Sequence, residues 1–153
     1  MIESVDPRVI DCQRKIKNNN NRINECRKKI SELQSDIEEL KQLRKKYVDF
    51  QYDLDNSVSK SENQINSIVG AVFNAFSVIK NTFFSPMMEV IKGPQLTRAR
   101  NSLEASIQKI DDRICKNQNE IEALQKEISS LLAKNATLNA KIVEYRKNPI
   151  VTM

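Results

Sequence analysis

A hydrophobic repeat in alternating steps of three and four residues restricts the fold of this chain more than any other feature of its 153 residues. One row is Val9, Ile16, Ile23, Ile30, Ile37, Arg44, Gln51, Val58, Ile65, Val72 and Ile79. Its companion is Cys12, Asn19, Cys26, Leu33, Leu40, Tyr47, Leu54, Ser61, Ile68 and Ala75. Such spacing gathers side chains into one stripe along an α-helix, and a stripe this long requires another helix to cover it. A second repeat follows, with Leu96, Leu103, Ile110, Asn117, Leu124, Leu131, Leu138 and Tyr145 in one row. Arg100, Ile107, Ile114, Ile121, Ile128, Asn135 and Ile142 form the other.

Local signals mark where these helices start and stop. Asp6-Pro7 has the form of a helix start, with proline at the first helical position, where its missing N–H costs nothing. Asn148-Pro149 ends the second repeat, because proline disfavours helix in the residue before it. Between the repeats lies the most apolar stretch, Ile65 to Phe84, followed by Ser85-Pro86 and Gly93-Pro94, where the chain is expected to reverse. Asp55, Asn56 and Ser57 compete with helix through side-chain bonds to nearby backbone, so residues 8–84 read as one helix bent near 53–59 or as two. The expectation is a single helical domain over 1–153, with a turn at 85–95 and a second helix over 96–147. Its fold class is all-α, an elongated antiparallel helical hairpin or an open three-helix bundle with coiled-coil heptads.

Length then suggests a partner. At about 1.5 Å per residue the second helix reaches roughly 75 Å, so after a turn near residue 90 it would run out opposite Ile37. The heptads before that point would lack a partner across the turn. Either the helix bends near Asp55 and packs back as a third member of a bundle, or those heptads pair with another protein. Ile16, Ile23, Ile30 and Leu33, with Phe84 and Met87 near the expected turn, are therefore the candidate partner-binding residues. The asparagines Asn19, Asn117 and Asn135 interrupt the seam. Buried, they would fix register and choice of partner; exposed, they would mark fraying.

The remaining composition narrows the function classes. The chain carries a formal charge of +5, with Arg14, Lys15, Lys17, Arg22, Arg27, Lys28 and Lys29 clustered early. Glu25 and Glu32 are interspersed among these and no aromatic platform accompanies them, as expected of a solvated helix flank. Histidine is absent, and no paired-carboxylate site, Gly-rich phosphate loop or nucleophile–base pair is visible, so neither catalysis, a cofactor nor a metal is expected. Cys12, Cys26 and Cys115 are odd in number and lack metal or redox spacing; buried small hydrophobes account for the first two. Neither a signal peptide nor a membrane span is expected, since Asn66, Asn74, Lys80 and Asn81 interrupt the apolar run.

Two helices about an apolar centre, an amphipathic first helix as in Ile16 to Leu40 and a charged second helix as in Ile107 to Ile128 resemble the WXG-like helical-hairpin proteins of bacterial type VII secretion, specifically the adaptors of LXG toxins. The chain differs in having Phe83-Phe84 and Gly93-Pro94 in place of a Trp-x-Gly turn. It also has Pro149 where an export signal would place an acid after Tyr145. The resemblance implies a non-enzymatic adaptor that binds the helical amino-terminal domain of an LXG-type toxin and helps target it for export. It implies a cytoplasmic location, with co-export alongside the partner as the alternative. The seam alone also permits a self-associating coiled-coil scaffold, and the basic cluster a weak nucleic-acid or membrane-surface binder.

Overall fold

The computed structural model describes residues 5–57 and 95–150. The protein is all-α: helix α1 spans Pro7–Ser57 and helix α2 spans Gln95–Lys147, the two arms of a helical hairpin. The apolar run from Ile65, the expected turn, Phe84 and Met87 lie outside the described residues. No described helix is long and apolar enough to cross a membrane.

The local signals act as expected at both described ends. Asp6 caps α1, its Oδ1 accepting from the Arg8 backbone N–H at 2.8 Å, while its carbonyl accepts from the N–H groups of Val9 and Ile10. Pro7 therefore occupies the first helical position. At the far end of α2, Arg146 and Lys147 place positive charge where the last carbonyls concentrate negative potential, and Asn148 donates to the Glu144 carbonyl at 2.9 Å before Pro149.

Contacts divide the chain into two compact units, Met1–Ser35 with Asn117–Met153 and Asp36–Lys116. In the first, the terminal unit, α1 and α2 pair antiparallel: Arg8 meets Asn148, Asn19 meets Asn135 and Arg22 meets Glu127. Val9, Cys12, Ile23, Cys26 and Leu33 are buried there from α1, and Ile142 with two asparagines from α2. Val9, Cys12 and Ile142 form a cluster against which Ile16, Leu138 and Tyr145 pack.

The second, central unit pairs the same helices antiparallel through Arg44 with Asp111 and Asp55 with Arg100. Ile37, Tyr47, Leu54, Ala99, Leu103 and Ile110 are buried in it. Leu54 and Leu103 are essentially inaccessible to solvent, and full burial of such a side chain is worth about 1.5–3 kcal/mol. Arg44, which breaks the apolar row, is tolerated because its guanidinium donates to Asp111 at 2.6 Å and 3.4 Å. Asp111 is thus half-buried.

The expectation that α2 runs out opposite Ile37 does not hold. It assumed that pairing starts near residue 84, whereas Arg100 already faces Asp55 and α2 still has enough length to bring Asn148 to Arg8. The heptads from Ile16 to Leu33 therefore have an intrachain partner.

Candidate functional site

Heptad geometry decides which side chains can form a site. In each helix two rows point at the opposing helix and two further rows flank that seam, where charges can meet across it. In the terminal unit Arg8, Lys15 and Arg22 occupy one flanking row of α1, and Glu127, Lys134 and Lys141 one of α2. Arg22 and Glu127 meet as a fork, Nε to Oε1 at 2.6 Å and the second nitrogen to Oε2 at 3.0 Å. The Arg22 guanidinium holds the Glu127 carboxyl below the usual carboxylate range, and Glu127 in turn raises Arg22.

One heptad further on, the same flank carries like charges. Lys15 and Lys134 line a groove of about 520 Å³ together with Asn19, Ser130, Ala133, Thr137 and Leu138. An adjoining hollow of about 320 Å³ shares Lys15 and Leu138 and adds Arg8, Asp11, Cys12, Lys141 and Tyr145. Alanine, serine and threonine on α2 leave this groove open, since no long side chain projects from those positions.

The charges around the groove are unequally matched. Lys15 Nζ lies 2.8 Å from Asp11, which also pairs with Arg14, and the Lys15 ammonium is the main cause of a lowered Asp11 carboxyl. Arg8 grips Asp6 with two nitrogens, lies 4.2 Å from the centre of the Tyr145 ring, and donates to the Asn148 carbonyl at 3.0 Å. Lys134 and Lys141 are exposed and form no ion pair among the described residues.

A polar layer floors one side of this region. Asn19 Nδ2 donates to Asn135 Oδ1 at 2.9 Å, and Asn135 Nδ2 donates to Asn20 Oδ1 at 2.9 Å. Asn135 is buried and Asn19 half-buried, so shifting α2 by one turn would strand amides inside the seam. Asn117 is buried too, but its Nδ2 has no hydrogen-bond partner among the described residues.

Of the expected partner-binding residues, Ile23 and Leu33 are only 3% and 4% exposed and pack within the terminal unit. Ile16 and Ile30 are half-buried. On α2, Ile121, Leu124, Ile128, Leu131 and Leu138 are half-buried as well. Sequence reading placed all of these on the seam, yet it treated Lys15 as one cation in a solvated cluster and passed over Lys134 and Lys141. Their flanking positions were available from the heptad, but not which cation faces which.

The buried thiols have a packing role: desolvation pushes Cys26 up, so the group stays protonated beside Arg22 and Glu127. Among the described residues no three potential ligands come together in a way that could hold a metal ion. Comparison of the chain with family models, with curated proteins and with solved structures found no match.

Proposed function

We propose that this protein is a non-enzymatic helical adaptor that binds a helical segment of another protein alongside its own helix pair. The observation that carries this reading is the incomplete cover of the terminal unit's seam. Ile16 and Ile30 on α1 and Ile121, Leu124, Ile128 and Leu131 on α2 remain half-buried after the two helices have paired. Two helices alone cannot enclose a heptad seam, and a further helix laid along a flank would remove that apolar surface from water. Binding rather than catalysis is also supported by the engagement of Asp6, Asp11, Glu127 and Asp111 in ion pairs with neighbouring cations.

The resemblance to type VII secretion adaptors supplies the finer reading, in which the partner is the helical amino-terminal domain of an LXG-type toxin on its way to export. Co-expression with such a domain, followed by light scattering and hydrogen exchange, tests it. A one-to-one complex with slowed exchange around Ile121 to Leu131 is the expected result. A stable homodimer with no affinity for the domain would replace this reading with the self-associating scaffold. Leu124→Asp with Ile128→Asp is expected to abolish the complex while leaving helicity intact, because both side chains are already partly in solvent.

A further inference from the structure

Resting on the adaptor reading, we propose that the groove between Lys15 and Lys134 is the docking face, and that it takes an amphipathic helix of another protein whose apolar stripe is flanked by acidic residues. The argument starts from two adjacent heptads of one flank. In the first, Arg22 and Glu127 have opposite charge and close the flank with a forked ion pair. In the next, Lys15 and Lys134 have the same charge and line an open groove of about 520 Å³. Like charges placed across a helix pair oppose its closure, and a ligand that brings carboxylates between them relieves that repulsion.

The surroundings extend the same preference. Lys141 and Arg8 line the adjoining hollow, where the acid present, Asp11, is shared between Lys15 and Arg14. The terminal unit's described residues hold thirteen basic side chains against eight acidic ones, whereas the central unit's hold nine of each. The chain's positive excess is therefore concentrated in the unit that contains the groove. Leu138 and Ala133 in the groove wall offer apolar contact, and Ser130 and Thr137 add hydroxyls at its edge. That combination suits an apolar stripe with carboxylates on either side.

A second copy of this chain fits the same face poorly. A two-fold axis through the groove would set Lys15, Lys134 and Lys141 of one copy against the same lysines of the other. A bare polyanion would engage the lysines but leave the apolar wall of the groove uncovered.

The test uses the whole chain and two synthetic four-heptad peptides with the same leucine stripe, one flanked by glutamates and one by lysines. At low salt the glutamate peptide is expected to bind about tenfold more tightly than the lysine peptide, the sum of several modest charge contacts. K134E/K141E should reverse that order, whereas K17E/K28E, an equal change of charge at exposed positions away from the groove, should preserve it. Circular dichroism confirms that each variant remains folded. Equal affinity for both peptides would overturn the charge assignment while leaving helix binding intact. Loss of glutamate-peptide binding in K17E/K28E as large as that in K134E/K141E would show attraction to overall charge and overturn the groove. Failure of both peptides to bind would overturn this proposal; the adaptor reading itself stands or falls separately, on the toxin-domain complex. Displacement of the glutamate peptide by duplex DNA or by phosphatidylserine vesicles, lost in K134E/K141E, would assign the lysines to a polyanion instead.

Discussion

The two units use the same pair of helices for different ends. In the central unit the buried seam residues are apolar, Tyr47, Leu54, Leu103 and Ile110 with Ala99, and the arginines that interrupt its rows are paired, Arg44 with Asp111 and Arg100 with Asp55. In the terminal unit the seam contains Cys12, Cys26, Asn19, Asn117 and Asn135, and its flank passes from a matched pair to two lysines that line one groove. The first composition favours stability. The second gives up part of that stability for register and for an open, positively charged face. One periodic pattern can therefore carry two differently composed helix pairings, depending on what occupies its seam and flanks.

The contrast can be broken most forcefully at Leu103. Leu103→Ala empties a site with no solvent exposure and should cost about 2–5 kcal/mol in urea unfolding. Ile16→Ala in the terminal unit, where the side chain is half-buried, should cost clearly less. Equal losses would mean that the two seams are equally well packed.

Alkaline pH gives the next effect. Burial pushes the Tyr47 hydroxyl up to about 12, so its neutral form is favoured by folding. The stability this represents is fully present below the unfolded value near 10 and is lost as pH rises through 10 towards 12. At about 1.4 kcal/mol per pKa unit the ceiling is roughly 2–3 kcal/mol. Tyr47→Phe should flatten that part of the curve relative to the parent protein, as followed by thermal melts in a pH series.

A smaller change is expected from the amide layer. Replacing Asn19 and Asn135 together by leucine removes both ends of a buried hydrogen bond and should leave stability unchanged or raise it by about 1 kcal/mol. Cysteine cross-linking should then detect α2 in more than one register. A double variant that keeps one register would show that the asparagines do not set it. The smallest effect belongs to the surface fork. Arg22→Gln should change stability by less than about 1 kcal/mol, since both partners are more than a third exposed.

Much of this architecture was legible in the sequence, because helical spacing determines which side chains share a stripe. Almost every described member of the four heptad rows is buried or half-buried. Ala99, entirely buried beside Arg100, lay outside those rows, its small side chain giving little hydrophobic signal of its own. Register was not legible. The rows continue through Val58, Ile65 and Val72, so periodicity alone could not show that Arg100 stands opposite Asp55. Everything that depends on register was hidden with it: the match of Asn19 to Asn135, the closure of Arg22 on Glu127 and the groove that Lys15 and Lys134 both line.

The contact between Arg8 and the carbonyl of Asn148 bridges 140 positions of sequence. Asp55 and Arg100 meet across a far shorter stretch, and the entropy of closing a loop grows with its length. Folding is thus expected to begin with the Asp55–Arg100 pairing, with the contact between Arg8 and Asn148 made last. On the ribosome the amino-terminal heptads must wait, apolar stripe exposed, until the far part of α2 has been synthesised. The lysine-lined groove comes into existence only when α2 packs along the amino-terminal heptads, so it is a property of the helix pair and of neither helix alone.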